Sequence, residues 1–240
     1  MIINKNNWEN YSGWSEFEIK HVLPEYLKVI NMQSLEDRTI VSIGCGQGYP
    51  DCLLLNNNVN LIGIDSNAEL LVQAKEKGIN AKQLDAYKIK DHYPKEIADI
   101  VIAPFLVHNT PNEQMEELYH NFNHLLKKNG KIVILDPNAN YEHILADSNR
   151  TFRRPLSLSQ DKYLDPNTLN PDKDKYRIEI NLNKGLVNET MIIHQHKSHG
   201  EYLRALEKNE FKDIKYKPVG YQNTKYGVLF PAYQLWIAKR

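Results

Sequence analysis

An excess of charge of either sign is missing from this chain. Lys+Arg and Asp+Glu stand at 30 each over 240 residues, so the formal net charge is zero. That balance argues against a broad basic surface for nucleic acid. Cysteine is scarce too, with Cys45 and Cys52 alone. Neither their number nor their spacing makes a disulfide scaffold or a zinc site. No apolar run reaches membrane-spanning length, and the first residues lack the basic-then-apolar order of a leader. The expectation is a reduced, soluble, cytoplasmic protein. What is present is an ordinary apolar share of 41%, enough for a core. The length fits one large α/β domain or a domain plus a lid.

The chain is organised around Val41-Ser42-Ile43-Gly44-Cys45-Gly46-Gln47-Gly48-Tyr49-Pro50. Ile40, Val41 and Ile43 are β-branched and read as a short buried strand. Three glycines alternate with Cys45 and Gln47, and Pro50 suits a first helical turn. Strand, tight glycine loop and helix start aim backbone N–H groups at a ligand. The spacing is G-x-G-x-G, and Tyr49 stands where a dinucleotide fingerprint needs its third glycine. The next strand, Val59–Ile64, runs into Asp65. An acid at that tip, about 20 residues past the glycines, receives a ribose diol or caps the following helix. Ser66 is an alternative cap. Together the two features predict a bound adenosyl nucleotide.

At these residues, including Gly63-Ile64-Asp65-Ser66, the chain resembles the class I S-adenosylmethionine (SAM) dependent methyltransferases. The resemblance runs from about Trp8 to Lys239 and points to the small-molecule branch, which includes ubiquinone-pathway-like and natural-product enzymes. It implies an α/β fold: a Rossmann-like, seven-stranded, mostly parallel sheet with an antiparallel last strand. All of residues 1–240 form one domain, with an N-terminal helical cap over 1–38 and a lid inserted at 139–197. It also implies SAM as donor, S-adenosylhomocysteine as product, no metal, and a small-molecule methyl acceptor. Expected partners exclude nucleic acid and membrane, and the expected state is a monomer or homodimer.

Along the chain, Trp8, Tyr11, Trp14 and Phe17 recur at intervals of three, as on one helix face. They read as core packing or as a cap over the cofactor, with Tyr11 toward its methionine end and Trp14 as part of an apolar wall. Pro24 opens a second helix to Ile30. The run Cys52–Leu55 is the first crossover helix, ended by Asn56-Asn57-Asn58, and Ala68–Lys77 is the next, stopped by Gly78. Ala81–Leu84 reads as strand three, after which Asp85 and Ala86 match the family's adenine-binding position. Ala98–Ala103 is strand four, with Pro104, Phe105 and Leu106 at its carboxyl end, where open α/β sheets bind ligands. Thr110-Pro111-Asn112-Glu113 reads as a capping box for a helix to Lys128. Lys131–Leu135 is strand five.

Residues 139–183 turn polar and carry Arg150, Arg153 and Arg154. Tyr176–Leu182 and Leu186–His194 read as a hairpin about Asn183-Lys184-Gly185. Ser198-His199-Gly200-Glu201 is a second capping box, and Asp213–Val219 with Tyr233–Ala238 a final antiparallel pair.

The candidate cofactor-binding set is Tyr11, Trp14, Gly44, Cys45, Gly46, Gly48, Asp65, Ser66, Asp85, Ala86 and Pro104. Candidate catalytic residues are His108, His196 and His199, acting as a base or holding the acceptor by hydrogen bonds. His194 and His196 share a strand face, yet no nearby cysteine or carboxylate completes a metal site. Two features of the family's other branches are absent. The strand-four tip has no Asn/Asp/Ser-Pro-Pro-Tyr motif and no acid for a catechol-type metal. The competing readings are a non-catalytic SAM-binding regulator, an RNA methyltransferase using the Arg150–Arg154 patch, an aminopropyl transferase using decarboxylated SAM, and a nicotinamide-dependent oxidoreductase. The strand-four tip lacks the acidic cluster a polyamine needs, and glycine spacing and the antiparallel finish disfavour the last.

Overall fold

The structure is a computed structural model that describes residues 14–31, 34–138, 197–223 and 229–240, together with the strand pairing of 176–180 and 190–194. Its frame is a seven-stranded sheet. Strand β1 (Thr39–Ile43) lies between β2 (Asn60–Asp65) and β4 (Ala98–Pro104), parallel to both, with Val41 level with Ile62 on one side and Val101 on the other. Strand β3 (Asn80–Gln83) extends one edge and β5 (Leu126–Pro137) continues past β4. Two long C-terminal strands, β8 (Lys212–Asn223) and β9 (Leu229–Lys239), complete the order β3-β2-β1-β4-β5-β9-β8. Strand β9 enters antiparallel between β5 and β8. A separate hairpin pairs β6 (Tyr176–Ile180) with β7 (Thr190–His194), as the alternation predicts.

Side-chain alternation divides the core in two. Val41, Val101, Ala103, Ile132 and Ile134 face one side, and Ile40, Ile100, Ile102, Val133 and Leu135 face the other. The first face is covered by α5 (Met115–Leu125), through Leu118, Tyr119 and Phe122, and by α6 (His199–Lys208), through Tyr202 and Leu206. The second is covered by α2 (Leu23–Ile30) and α3 (Ala68–Glu76), through Tyr26, Val29, Leu71 and Ala74. Both faces are therefore apolar, which is why the central strands read as continuous hydrophobic runs.

Several local expectations are corrected. Ser15 caps α1 (Glu16–His21) in a capping box with Glu18, so Trp14 precedes the helix instead of sharing a face with Phe17. The first crossover is a 3-10 helix, Asp51–Asn57, ending at a left-handed Asn58. Asn67, not Ser66, caps α3: its side chain accepts from the backbone N–H of Glu69 and Leu70. No capping box forms at Thr110, because Pro111 is extended (ψ 144°) and the Thr110 hydroxyl donates to the Leu106 carbonyl at 3.3 Å. Strand β5 starts at Leu126, five residues early. Gly130 explains this: a Cβ there would meet the Ala98 carbonyl at 3.2 Å, so the Asn129-Gly130 turn lies inside the sheet. The Ser198–Glu201 capping box forms as expected.

Sterics hold the two ends of the glycine loop, Gly44 against Leu106 and Gly48 against α3, more tightly than its middle. Gly48 has φ +82°, and a Cβ there would meet Ala74 Cα at 2.9 Å and Ile79 Cδ1 at 2.7 Å. At Gly46 (φ +52°) the nearest atom would be Leu70 Cδ1 at 3.8 Å. Gly48→Ala is expected to cost roughly 2–4 kcal/mol of stability through overpacking plus strain. Gly46→Ala is expected to cost about 1 kcal/mol, from backbone strain alone. Urea unfolding of both variants checks the difference.

Candidate functional site

The carboxyl ends of β1, β2 and β4 open onto a cavity of about 570 Å³. The glycine loop makes its floor. Gly44 (φ +74°) donates its N–H to the Ile64 carbonyl at 2.7 Å, which pins the loop to the end of β2. Asp65 ends β2 and reaches back: Oδ2 accepts from the Gly46 N–H at 2.8 Å and Oδ1 from the Asn67 N–H at 2.8 Å. Burial pushes its carboxyl above the ordinary range, and the backbone N–H groups of Asn67, Gly46 and Ser66 pull it part of the way back. Asp85 sits at the end of β3 and accepts from the Tyr87 N–H at 3.0 Å, which turns the chain so that Asp85, Ala86 and Tyr87 all face the cavity.

The opposite wall is aromatic. Phe105 follows β4 with φ +56°, a conformation a bulky residue adopts only under constraint. Its N–H donates to the Leu135 carbonyl at 2.7 Å, and its carbonyl accepts from Asn109 Nδ2 at 3.1 Å. The ring stands edge-on to Trp14 at 5.2 Å between centroids, and Trp14 in turn stands edge-on to Tyr49 at 6.4 Å.

Of the sequence-derived cofactor set, Trp14, Gly44, Cys45 and Gly46 line the cavity, as do Asp65, Ser66, Asp85, Ala86 and Pro104. Gly48 does not; it packs on α3. Tyr11, His196 and the Arg150–Arg154 patch lie outside the described residues, as does the side chain of His194. His108 is buried behind the Phe105 wall, with Nδ1 2.7 Å from Asp136 Oδ1. His199 lies away from the cavity against Tyr216 (4.3 Å between ring centroids) and Trp236 (5.7 Å), and burial lowers its tendency to hold a proton. Among the described residues no group of three or more His, Cys, Asp or Glu is arranged to hold a metal. Within the same residues no helix is long and apolar enough to cross a membrane.

Three site-related groups escape sequence reasoning. Tyr49 and Asn67 line the cavity because of loop and cap geometry. The third is Asp51, which is 1% exposed beneath the loop, with the Ser42 hydroxyl on Oδ2 and no partner on Oδ1.

With that geometry in place, the chain can be set beside known proteins. Residues 41–134, from β1 into β5, match the model of the methyltransferase domain family. An uncharacterized methyltransferase of Anoxybacillus flavithermus is 25% identical over 120 residues, covering 50% of this chain and 57% of that protein. The chain thus spans little more than half the length of that relative. Among solved structures, a SAM-dependent methyltransferase of Archaeoglobus fulgidus superposes with a TM-score of 0.62 at 18% identity, over 99% of this chain and 100% of that one. A protein of Pyrococcus horikoshii gives 0.66 at 12% identity, over 98% and 99%. At these identities the likeness establishes the fold, a Rossmann-like methyltransferase architecture.

Burial raises the Asp51 carboxyl from an ordinary 3.8 to about 7, the Ser42 hydrogen bond working against the shift. The folded state therefore binds more protons than the unfolded state between those two values, and stability falls as pH rises through that window. Asp51→Asn removes this dependence. Relative to wild type, the variant is expected to gain on the order of 2–4 kcal/mol between pH 4 and pH 8, measured by urea unfolding across that range.

Proposed function

We propose that the protein transfers a methyl group from S-adenosylmethionine to a nitrogen or oxygen atom of a small-molecule acceptor by in-line displacement. The observation that carries this reading is Asp65: a partly buried carboxylate at the tip of β2, bonded to the Gly46 amide at the cavity floor. A vicinal diol offers two O–H donors to such a group, and the exposed edge of the loop offers N–H groups beside it. Asp85 and Ala86 flank the place of the adenine ring, and Gly44 to Gly46 the place of the methionine portion. The cavity volume suits a nucleoside-sized ligand with space beyond it.

When bound, SAM supplies an activated methyl on a sulfonium. The chain's contribution is position and environment. Trp14, Tyr49, Phe105 and Leu106 form an apolar wall that excludes water, which favours a step that disperses charge. Holding the acceptor in line accounts for a barrier reduction of roughly 7–11 kcal/mol. The described lining carries Asp65, Glu69 and Asp85 and no Lys, Arg or His, which suits a cationic donor. We propose His108, which lies one layer behind Phe105 and outside the described lining, as the group that takes up the acceptor's proton, a role its buried carboxylate partner supports.

Calorimetry with S-adenosylhomocysteine, SAM and NADH tests the reading. Wild type should take up the first two and not the third. Asp65→Ala is expected to weaken S-adenosylhomocysteine binding roughly 10–100-fold, through loss of hydrogen bonds to a charged group. Absence of uptake by wild type, or equal uptake of NADH, overturns the proposal.

A further inference from the structure

Asp136, at the end of β5, is fully buried, and both of its oxygens are engaged. Oδ1 lies 2.7 Å from Nδ1 of His108, in the turn after β4, and Oδ2 accepts from the Tyr202 hydroxyl of α6 at 2.7 Å. The three residues come from three separate elements and are 0–3% exposed, so water does not screen the contacts. Burial and the Asp136 charge keep the Tyr202 hydroxyl protonated, and the Asp136 charge acts likewise on Tyr119. The protonated Tyr202 hydroxyl donates to Oδ2, and an ionised carboxylate has no proton to give. With Asp136 ionised, the proton between His108 and Asp136 belongs to Nδ1.

We infer that Asp136 is a positioning residue that locks His108 in the Nδ1–H tautomer and so places the ring's basicity on Nε2, with Tyr202 holding the carboxylate in register. The inference rests on the reading of His108 as the group that receives the acceptor's proton. Which nitrogen of an imidazole carries the proton is set by the hydrogen bond made by the other. In the Ser-His-Asp enzymes, replacing the carboxylate by its amide leaves the geometry intact and supplies the wrong tautomer. Asp136→Asn repeats that logic here. The amide has one oxygen, which Tyr202 claims, so the NH2 group faces Nδ1 and expels its proton to Nε2. A carboxylate that packed beside the ring without bonding Nδ1 would change stability and leave the tautomer indifferent to this exchange.

The test is nitrogen NMR of the 15N-histidine-labelled full chain, with the His108 signals assigned by their loss in His108→Gln. Wild type should show the Nδ1–H tautomer, and Asp136→Asn the Nε2–H tautomer. Tyr202→Phe, which removes one donor and leaves the carboxylate, should keep Nδ1–H. S-adenosylhomocysteine affinity, read by calorimetry, should stay within about threefold of wild type in all three variants. The proposal is overturned by Nε2–H in wild type, or by an unchanged tautomer in Asp136→Asn. Should Asp136→Asn fail to fold, the wild-type and Tyr202→Phe spectra still decide, since Nε2–H in either contradicts the lock. Failure of the methyl-donor reading is separate, because it shows as missing S-adenosylhomocysteine uptake by wild type with the tautomer pattern intact.

Discussion

Everything around the cavity depends on one short contact, the Asp65 carboxylate against the Gly46 amide. It joins the end of one parallel strand to the loop that leaves its neighbour, while the other oxygen takes the N–H of Asn67, the cap of α3. One carboxylate thus sets the separation of loop, strand tip and helix start. Parallel pairing makes this geometry available, because β1 and β2 end on the same side of the sheet, with Ile43 level with Ile64. The carboxylate is tolerated in a partly buried place because the backbone N–H groups of Asn67, Gly46 and Ser66 point at it.

The fold was legible because its signals are local. β-branched pairs at Val41–Ile43 and Ile100–Ile102 mark strands buried on both faces, and the glycines at 44, 46 and 48 sit between strand and helix. The floor of the cavity was legible for the same reason. The proton-handling groups were not. Asp136 meets His108 and Tyr202 across 28 and 66 residues of chain, and no spacing rule reaches that far. Ser42 and Asp51 are close in sequence, yet only the turn of the loop brings the carboxyl under β1. Where sequence reasoning erred, a tertiary contact had overridden a local preference. Gly130 packs on the Ala98 carbonyl instead of ending a helix, and Gly48 packs on α3 instead of meeting a ligand.

The two glycines that flank Gln47 divide the loop's work. Gly48 is spent on packing, since only a residue without Cβ fits against Ala74 and Ile79. Gly46 faces open space and presents its N–H to Asp65. A G-x-G-x-G run therefore carries two different constraints, one on the core and one on the cavity. The sequence pattern alone does not distinguish them, because both positions have positive φ and both tolerate glycine equally well.

The antiparallel strand β9 ties the remaining parts together. Trp236 stacks on Tyr202 at 5.3 Å, bracing the hydroxyl that holds Asp136. Three residues earlier, Tyr233 bonds Glu18 of α1 at 2.5 Å and lies 6.0 Å from the Phe105 ring. One strand therefore braces the buried His108–Asp136 pair from one sheet face and the N-terminal cap from the other, since Tyr233 and Trp236 are of opposite parity. Phe105 is the point where the two meet, edge-on to His108 at 6.4 Å and to Trp14 at 5.2 Å. A left-handed backbone at Phe105 is tolerable because its ring is held between Trp14, His108 and Tyr233.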